Sequence, residues 1–157
     1  MSKRYSLGSV SVTLPPADRF AQFLQSRGKR ITQQRRQIVE TIFSHHDHFD
    51  ADELIDHLKE LIAQRKVSRP TVYRTLSELV EAGMLRKMVL GGRSVYEHEY
   101  GYPSHDHLYC QVCNKLIEFH SPELERIRNE VARQHKFQVS GHRMFVTGVC
   151  KGCGGVE

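Results

Sequence analysis

Residues 68–83 read SRPTVYRTLSELVEAG and predict the helix that decides the fold. Proline is tolerated in the first turn of a helix, so this helix is expected to begin near Pro70, and Gly83 is expected to end it. An apolar stripe recurs at helical spacing and contains Val72, Leu76, Leu79 and Val80. Polar positions away from the stripe are predicted to be exposed, namely Thr71, Tyr73, Arg74, Thr75 and Ser77. Such side chains suit contacts with DNA phosphates and base edges, although an ordinary amphipathic surface helix fits the same periodicity.

The segments on either side of this helix predict the rest of a DNA-binding domain. Two β-prone runs surround Gly91-Gly92 within residues 84–97, which is the signal of a hairpin. Three shorter helices are predicted upstream, with terminal signals at Gly28, at Thr32 and at a capping box formed by Asp50 and Glu53. A few small helices followed by a hairpin is the order of a winged helix-turn-helix, in which the last helix enters the major groove.

The chain from about residue 104 onward has a different composition and contains all four cysteines. Three alternating or apolar runs predict a small sheet, at residues 108–110, 115–119 and 143–149. One amphipathic helix is expected to start at Ser121-Pro122-Glu123. We therefore predict an α+β protein with a winged helix-turn-helix domain followed by a small α/β domain. The predicted bounds are 1–98 for the first domain, including an N-terminal extension over 1–16, 99–103 for a hinge, and 104–157 for the second domain.

The cysteines form two CxxC pairs, Cys110 with Cys113 and Cys150 with Cys153, at the spacing of tetrahedral zinc ligands. Stable disulfides are disfavoured in a cytoplasmic chain, and a redox motif needs only one pair. Iron–sulfur clusters also use four cysteines, but their usual runs are spaced differently. We interpret the four cysteines as a structural Zn²⁺ site that ties together the first and last strands of the second domain.

A second set of possible metal ligands surrounds the run Ser104-His105-Asp106-His107, where alternate side chains share one face of an extended strand. Further candidates are His48, Glu97, Glu118, His120, Glu125 and His142. Nitrogen and oxygen donors suit Fe²⁺, Mn²⁺, Zn²⁺, Co²⁺ or Ni²⁺, so the residue types leave the metal open. The remaining histidines are interpreted as surface residues, among them His45, His46, His57 and His135.

The charge and hydropathy of the chain indicate which kinds of partner it is expected to bind. The net charge of +5 permits a polyanionic partner, and residues 27–36, RGKRITQQRR, hold five basic side chains and no acid. A run of this kind is usually a solvated face unless a motif lies nearby. No apolar run of about 18 residues is present, and the N-terminus lacks the apolar core of a signal peptide. We expect a cytoplasmic protein without a membrane partner.

In their order, these motifs resemble the ferric uptake regulator family over about residues 20–153. The stretches that carry the resemblance are Arg30-Ile-Thr-Gln-Gln-Arg35, Thr71-Val-Tyr-Arg-Thr-Leu76, Leu79-Val-Glu-Ala-Gly83, Tyr96-Glu97, His105-Asp-His-Leu-Tyr-Cys-Gln-Val-Cys113, Ile117-Glu-Phe119 and the final CxxC. The resemblance implies an N-terminal winged-helix domain and a C-terminal α/β dimerisation domain. It also implies a metal-dependent closure that sets two DNA-binding heads on a palindromic operator.

The resemblance implies roles for particular residues. His48, Glu97, His105 and His107 look like a regulatory metal site between the domains, with Glu118 as a further ligand. Asp106, Glu125 and His142 match an additional metal site, although the family often has a histidine where this chain has Ser104. Tyr73 and Arg74 match DNA contacts of the recognition helix, and Arg30 matches a basic residue that reaches DNA.

The sequence therefore predicts a metal-responsive repressor, and it favours iron sensing over two alternatives. The repressor is expected to bind a double-stranded DNA operator as a homodimer when Fe²⁺, or Zn²⁺ or Mn²⁺, fills the regulatory site. The alternatives are a peroxide sensor, in which a ligand histidine is oxidised, and a zinc-uptake regulator. Peroxide chemistry usually goes with an aspartate at the position of Glu97, whereas the stretch from Glu118 to Pro122 looks like peroxide regulators. No HExxH, GxSxG or P-loop motif is present, so neither an enzyme nor a small organic substrate is expected.

Overall fold

A computed structural model describes Leu7 and residues 10–154 of the chain. The chain divides into two compact units, a first unit of residues 10–102 and a second unit that contains residues 103–157. Of the predicted N-terminal extension, residues 1–6, 8 and 9 lie outside the described residues. Among the described residues, no helix is both long enough and apolar enough to cross a membrane.

The first unit contains five helices and a two-stranded sheet within its described residues. The helices are α1 Pro16–Ser26, α2 Gln33–Ser44, α3 Ala51–His57, α4 Lys59–Ala63 and α5 Arg69–Glu81, and the strands are β1 Leu85–Leu90 and β2 Arg93–His98. The third predicted helix is interrupted at Leu58 and forms two short helices, α3 and α4. The order of small helices followed by a hairpin confirms the predicted winged helix-turn-helix.

Side-chain caps set where three of these helices begin. The hydroxyl of Thr32 accepts a hydrogen bond from the backbone N–H of Arg35 at the start of α2. Asp50 and Glu53 form a capping box at the start of α3, and the hydroxyl of Ser68 caps α5. Each cap satisfies backbone N–H groups that have no partner inside the helix, which stabilises the helix by about 1 kcal/mol.

The apolar stripes of the helices meet in one core. Its fully buried side chains include Phe20, Leu24, Ile38, Val39, Leu58, Val72, Leu76 and Leu79. Burial of each of the larger side chains contributes about 1.5–3 kcal/mol. Thr75 is also fully buried, so the prediction that Thr75 is exposed was wrong. The physical reason is its spacing, because Thr75 follows Val72 by three residues and therefore shares its face of α5.

The hairpin of the first unit is tightly turned. Strands β1 and β2 pair in antiparallel register, with Leu90 opposite Arg93. Gly91 and Gly92 have φ angles of 55° and 78°. Residues that carry a side chain rarely adopt such angles, but a two-residue hairpin turn that matches the twist of its strands requires them. An isolated bridge between Phe49 and Tyr96 joins β2 to the segment before α3.

The second unit is a three-stranded sheet with one helix. Strands β3 Asp106–Cys110, β4 Leu116–Phe119 and β5 Phe145–Gly148 lie in the order β4-β3-β5. Strand β4 is antiparallel to β3, and β5 is parallel to it. Helix α6, Pro122–Gln134, is capped by Ser121 and lies between β4 and β5 in the chain. The predicted strands and helix of the second domain are therefore confirmed.

Candidate metal sites and DNA-contacting surface

The four cysteines of the second unit form one cluster. Their sulfur atoms lie within 4.8 Å of one another. Cys110 ends β3 and Cys150 follows β5 by two residues, and these strands are parallel neighbours. The sheet therefore brings together the two CxxC pairs, which lie at or just after the ends of the first and last strands of the domain.

The geometry of this cluster fits a zinc ion. Zn–S bonds of about 2.3 Å in a tetrahedron place the sulfur atoms about 3.8 Å apart. The sulfur atoms of Cys113 and Cys150 are 3.7 Å apart, and all four cysteines are free thiols. Four thiolate donors fill the coordination shell of a tetrahedral zinc ion, so the cluster has the donors of a closed structural site and not of a catalytic one.

Hydrogen bonds shift the pKa values of two thiols of the cluster in opposite directions. Backbone N–H groups of Cys113 and Cys150 lower the pKa of the Cys110 thiol from 9.0 to about 6. The N–H of Cys150 lies 3.3 Å from that sulfur. Hydrogen bonds with the side chains of Cys113 and Cys150 raise the pKa of Cys153 to about 12. In the absence of a metal ion, the Cys110 thiol therefore ionises more readily than the Cys153 thiol, and a bound zinc ion would deprotonate both.

In the first unit, two of the predicted regulatory ligands are neighbours. Nε2 of His48 lies 3.3 Å from Oε2 of Glu97. Phe49 follows His48, and Tyr96 precedes Glu97. A backbone bridge between Phe49 and Tyr96 holds the segments of these two ligands together. Glu97 is only 2% exposed, and Nη1 of Arg86 is 3.9 Å from its other oxygen. A buried carboxylate beside an imidazole is a pair of donors that suits a borderline divalent cation.

In the second unit, the other three predicted regulatory ligands lie together. Nε2 of His105 is 3.6 Å from Oε1 of Glu118, and the ring centroids of His105 and His107 are 4.7 Å apart. His107 on β3 is opposite Glu118 on β4 in the strand register. Nδ1 of His105 lies 2.9 Å from the carbonyl oxygen of Pro103, and this contact assigns the ring proton to Nδ1. In the neutral imidazole, Nε2 is then the nitrogen with the free lone pair, which metal ligation uses.

The three residues predicted for an additional site are not brought together as a three-ligand group within the described residues. Asp106 and His142 contact each other, with Oδ2 and Nε2 at 3.1 Å. Nη1 of Arg128 lies 2.6 Å from Nδ1 of His142 and 3.9 Å from Oε1 of Glu125. A guanidinium cation therefore lies among the predicted donors, and Ser104 offers no imidazole to complete them. This donor set fits a metal ion poorly.

The polar face of α5 carries the predicted DNA contacts. Tyr73, Arg74 and Ser77 are exposed, and Thr71 is partly exposed with its hydroxyl 2.7 Å from that of Ser68. Arg30 is exposed in the segment between α1 and α2. Guanidinium, phenol and hydroxyl groups at the surface of a helix are donors for phosphate oxygens and base edges.

The basic segment of residues 27–36 is largely neutralised by the protein itself. Four of its five basic side chains face a carboxylate: Arg27 with Glu81 at 3.6 Å, Lys29 with Glu78 at 2.8 Å, Arg35 with Glu78 at 2.9 Å, and Arg36 with Asp18 at 3.2 Å. The segment is thus not a continuous patch of unpaired positive charge, which its sequence alone suggests.

Sequence reasoning missed two residues that take part in these arrangements, Glu78 and Arg128. The available signal was helical spacing, because residues three apart lie on one face of a helix. Arg128 follows the predicted ligand Glu125 by three residues, and Glu78 follows the buried Thr75 by three. In contrast, the interpretation of His45, His46, His57 and His135 as surface residues is confirmed, since all four are exposed.

Comparison with known proteins shows to which protein family the chain is similar. Residues 26–147 match the Ferric uptake regulator family. The Ferric uptake regulation protein of Campylobacter upsaliensis is 33% identical over 136 residues, which are 87% of each chain. The Peroxide-responsive repressor PerR of Staphylococcus epidermidis is 32% identical over 130 residues, 83% of this chain and 85% of that protein.

A solved structure agrees with the fold. The ferric uptake regulator Fur of Helicobacter pylori, whose structure is described as revealing three functional metal binding sites, superposes with a TM-score of 0.77. It covers 96% of this chain and 99% of its own at 24% identity, a likeness that speaks for the fold alone. Because the family match spans more than half of the chain and two relatives exceed 30% identity over most of its length, this chain belongs to the ferric uptake regulator family and is a transcription regulator, not an enzyme.

Proposed function

We propose that this protein is an iron-responsive repressor that binds a palindromic DNA operator as a homodimer. In this proposal its DNA affinity rises when a divalent cation takes ligands from His48, Glu97, His105, His107 and Glu118. The cation is Fe²⁺ in the first instance, with Mn²⁺ and Zn²⁺ as alternatives of similar donor preference. The target is chromosomal DNA, so the protein acts in the cytoplasm.

The observation that carries the proposal is the pair of donor sets. The first unit holds His48 beside buried Glu97, and the second unit holds His105 beside Glu118 with His107 next to them. Neither set by itself supplies the four or more donors that a tightly bound transition metal usually takes. A metal that uses both sets favours the arrangement of the two units in which both are in reach, because it binds that arrangement more tightly. Coupling of this kind changes affinity by about 1–3 kcal/mol.

We propose that the four-cysteine cluster has a structural role and does not respond to metal. A structural zinc supplies a fixed tetrahedral crosslink when bound, and the cysteines of β3 and of the segment after β5 hold it. Because thiolates satisfy all four positions, no position is left for an exchangeable ligand. We therefore assign permanent zinc to the cysteines and the responsive metal to the histidine and glutamate donors.

The homodimer is supported by exposed apolar side chains of the second unit. On and after α6, Ile127 is 54% exposed, Val131 50% and Phe137 70%. On the sheet, Leu108 and Val146 are also exposed. A small domain with this much apolar surface in contact with water is expected to bury it against a partner. A second copy of the chain presents the same side chains, and a two-fold axis then gives two recognition helices for two half-sites.

A second candidate function is peroxide sensing. It is favoured by the relative PerR of Staphylococcus epidermidis, whose similarity is close to that of the Ferric uptake regulation protein of Campylobacter upsaliensis. The glutamate at position 97 favours metal sensing instead. The two functions differ in whether peroxide alters a ligand histidine, and one experiment separates them.

The test is metal-dependent DNA binding by anaerobically purified protein. Fe²⁺, Mn²⁺ and Zn²⁺ are titrated separately while binding to a palindromic AT-rich duplex is followed, with and without a peroxide pulse. We expect Fe²⁺ to promote binding and peroxide to leave the mass of the protein unchanged. Loss of binding together with the addition of oxygen to His48, His105 or His107 supports the peroxide sensor instead.

Two variants assign the response to the donor residues. The double variant His105→Ala/His107→Ala should lose metal-dependent DNA binding and keep its cysteine-bound zinc and its dimer. The matched control is His135→Ala, an exposed histidine outside the predicted sites, which should respond to metal as the unaltered protein does. A full metal response in the double variant would contradict the assignment of the response to His105 and His107.

A further inference from the structure

One carboxylate of the first unit holds two cations of the basic segment. Glu78 lies on the buried side of α5, and its side chain is 11% exposed. Nζ of Lys29 is 2.8 Å from Oε1, and Nη2 of Arg35 is 2.9 Å from Oε2. Arg35 is itself largely covered, with 17% of its side chain exposed. The pair of Glu78 and Arg35 is therefore partly buried, and Lys29, whose side chain is 54% exposed, contacts the same carboxylate from the surface.

These contacts join the recognition helix α5 to two other segments of the first unit. Lys29 comes from the segment after α1, Arg35 from the first turn of α2, and Glu78 from α5. Nη1 of Arg35 also lies 3.5 Å from the carbonyl oxygen of Arg30, so the same guanidinium contacts the segment that carries the exposed Arg30. The carboxylate of Glu78 thus fixes the position of α5 relative to the segment before α2.

The contacts also set which positive charges are available to DNA. Among the described residues of the basic segment, Arg30 is the one basic side chain without an ion pair to a carboxylate. A cation that binds a phosphate in place of Glu78 leaves a carboxylate behind in a partly buried position, which is unfavourable. Each phosphate that a protein neutralises steepens the dependence of log K on log salt by about 0.9. Cations held by Glu78 are therefore expected to contribute little to that slope.

We propose that Glu78 is a positioning residue that withholds Lys29 and Arg35 from the DNA backbone. Non-specific binding is then weak, and discrimination between sequences depends on the exposed side chains of α5 and on Arg30. This inference rests on the DNA-binding role proposed above and extends it to specificity. Non-specific binding of DNA comes almost entirely from phosphate contacts, so restraint of two cations lowers it selectively.

The test uses the full-length, zinc-loaded protein and a duplex of mixed sequence without an operator. Affinity is measured by fluorescence anisotropy over a series of salt concentrations, without added Fe²⁺, Mn²⁺ or further Zn²⁺. Glu78→Gln keeps the shape of the side chain and removes its charge. We expect its salt slope to steepen by about 0.9 for one released cation or about 1.8 for two, with about tenfold or greater gain in affinity at low salt.

The matched control is Glu40→Gln, which makes the same change of net charge on an exposed residue of α2. Its salt slope should stay at that of the unaltered protein. Any part of the added slope that is lost in the double variant Glu78→Gln/Lys29→Met is assigned to Lys29, and the part that remains is assigned to Arg35. Equal slopes for Glu78→Gln and Glu40→Gln would overturn the proposal.

A second measurement decides the case even where Glu78→Gln does not fold. In the protein with Glu78 intact, Lys29→Met should leave the slope for non-specific DNA unchanged, whereas Arg30→Ala should lower it by about 0.9. A lower slope in Lys29→Met would show that Lys29 contacts phosphate and would contradict the inference. These measurements require no corepressor metal and no operator, so their outcome is independent of the proposed metal response.

Discussion

The guanidinium of Arg128 lies 2.6 Å from Nδ1 of His142, so a side chain of α6 meets the residue predicted to bind an additional metal. The other ring nitrogen of His142 faces Asp106 at 3.1 Å. Asp106 in turn accepts a hydrogen bond from the backbone N–H of Met144 at 2.8 Å. A chain of hydrogen bonds therefore connects α6 to β3 and to the residue before β5 through these two predicted ligands.

This arrangement predicts weak metal binding at the additional site. A metal ion at the additional site would lie close to the guanidinium cation of Arg128, and the repulsion between the two positive charges opposes metal binding. We expect Arg128→Ala to tighten the binding of Zn²⁺ or Co²⁺ there by at least about tenfold, the usual scale of changes next to the ligands. Metal content per protomer, measured by mass spectrometry at a series of free metal concentrations, checks this. Arg126→Ala, an exposed arginine of the same helix, is the control, and equal binding by both variants would contradict the prediction.

Removal of the Arg74 guanidinium is expected to weaken DNA binding without any change in metal content. Arg74 is exposed on the polar face of α5, and a base contact made there contributes about 1–3 kcal/mol. Operator affinity of Arg74→Ala, compared with zinc content from the same preparation, is the measurement. Arg133→Ala removes one exposed positive charge from α6 in the second unit and controls for net charge. An unchanged operator affinity in Arg74→Ala would tell against α5 as the recognition helix.

Loss of the capping box at α3 is expected to destabilise the first unit. Oδ1 of Asp50 accepts a hydrogen bond from the N–H of Glu53 at 2.8 Å, and the carboxylate of Glu53 accepts one from the N–H of Asp50 at 2.7 Å. The Asp50 carboxylate also pairs with Arg93 on β2. Asp50→Ala should lower the free energy of unfolding by about 1–2 kcal/mol, as measured by urea unfolding. The exposed neighbour Asp52→Ala should lower it less, and a similar loss in both variants would refute a specific role for the cap.

Acidification is expected to promote the release of zinc from the cysteine cluster, most steeply as the pH passes through about 6, where Cys110, the more acidic of the Cys110 and Cys153 thiols, regains its proton. Zinc binds thiolates, so protons compete with it, and the competition begins where a thiolate regains its proton. Hydrogen bonds from the backbone of Cys113 and Cys150 lower the pKa of Cys110 from 9.0 to about 6. The Cys110 thiolate therefore persists as the pH falls from 9 and is lost as it passes through about 6. Release of zinc to a chromogenic chelator is measured as the pH falls from 9 through about 6, and release that does not increase as the pH passes through about 6 would contradict the prediction.

The amino-acid sequence by itself predicted most of the local elements and the cluster of four cysteines. The glycine pair at 91 and 92 predicts the hairpin because its turn needs positive φ angles, and both glycines have them. The apolar spacing of α5 predicts which of its side chains enter the core, and Val72, Leu76 and Leu79 are fully buried. Cysteine chemistry limits CxxC pairs to few uses, so spacing alone predicts the four-cysteine cluster. These features depend on neighbours in the chain or on intrinsic chemistry.

Only the tertiary structure decided which polar groups meet. Periodicity assigns a residue to a face of a helix, but it does not say what packs against that face. The partners of Glu78 are 49 and 43 residues away in the sequence, and Arg128 and His142 are 14 residues apart. Pairs at such distances carry no local signal, because their contact depends on the docking of whole helices and strands. The charge of the basic segment and the donors of the additional site are therefore properties of the fold.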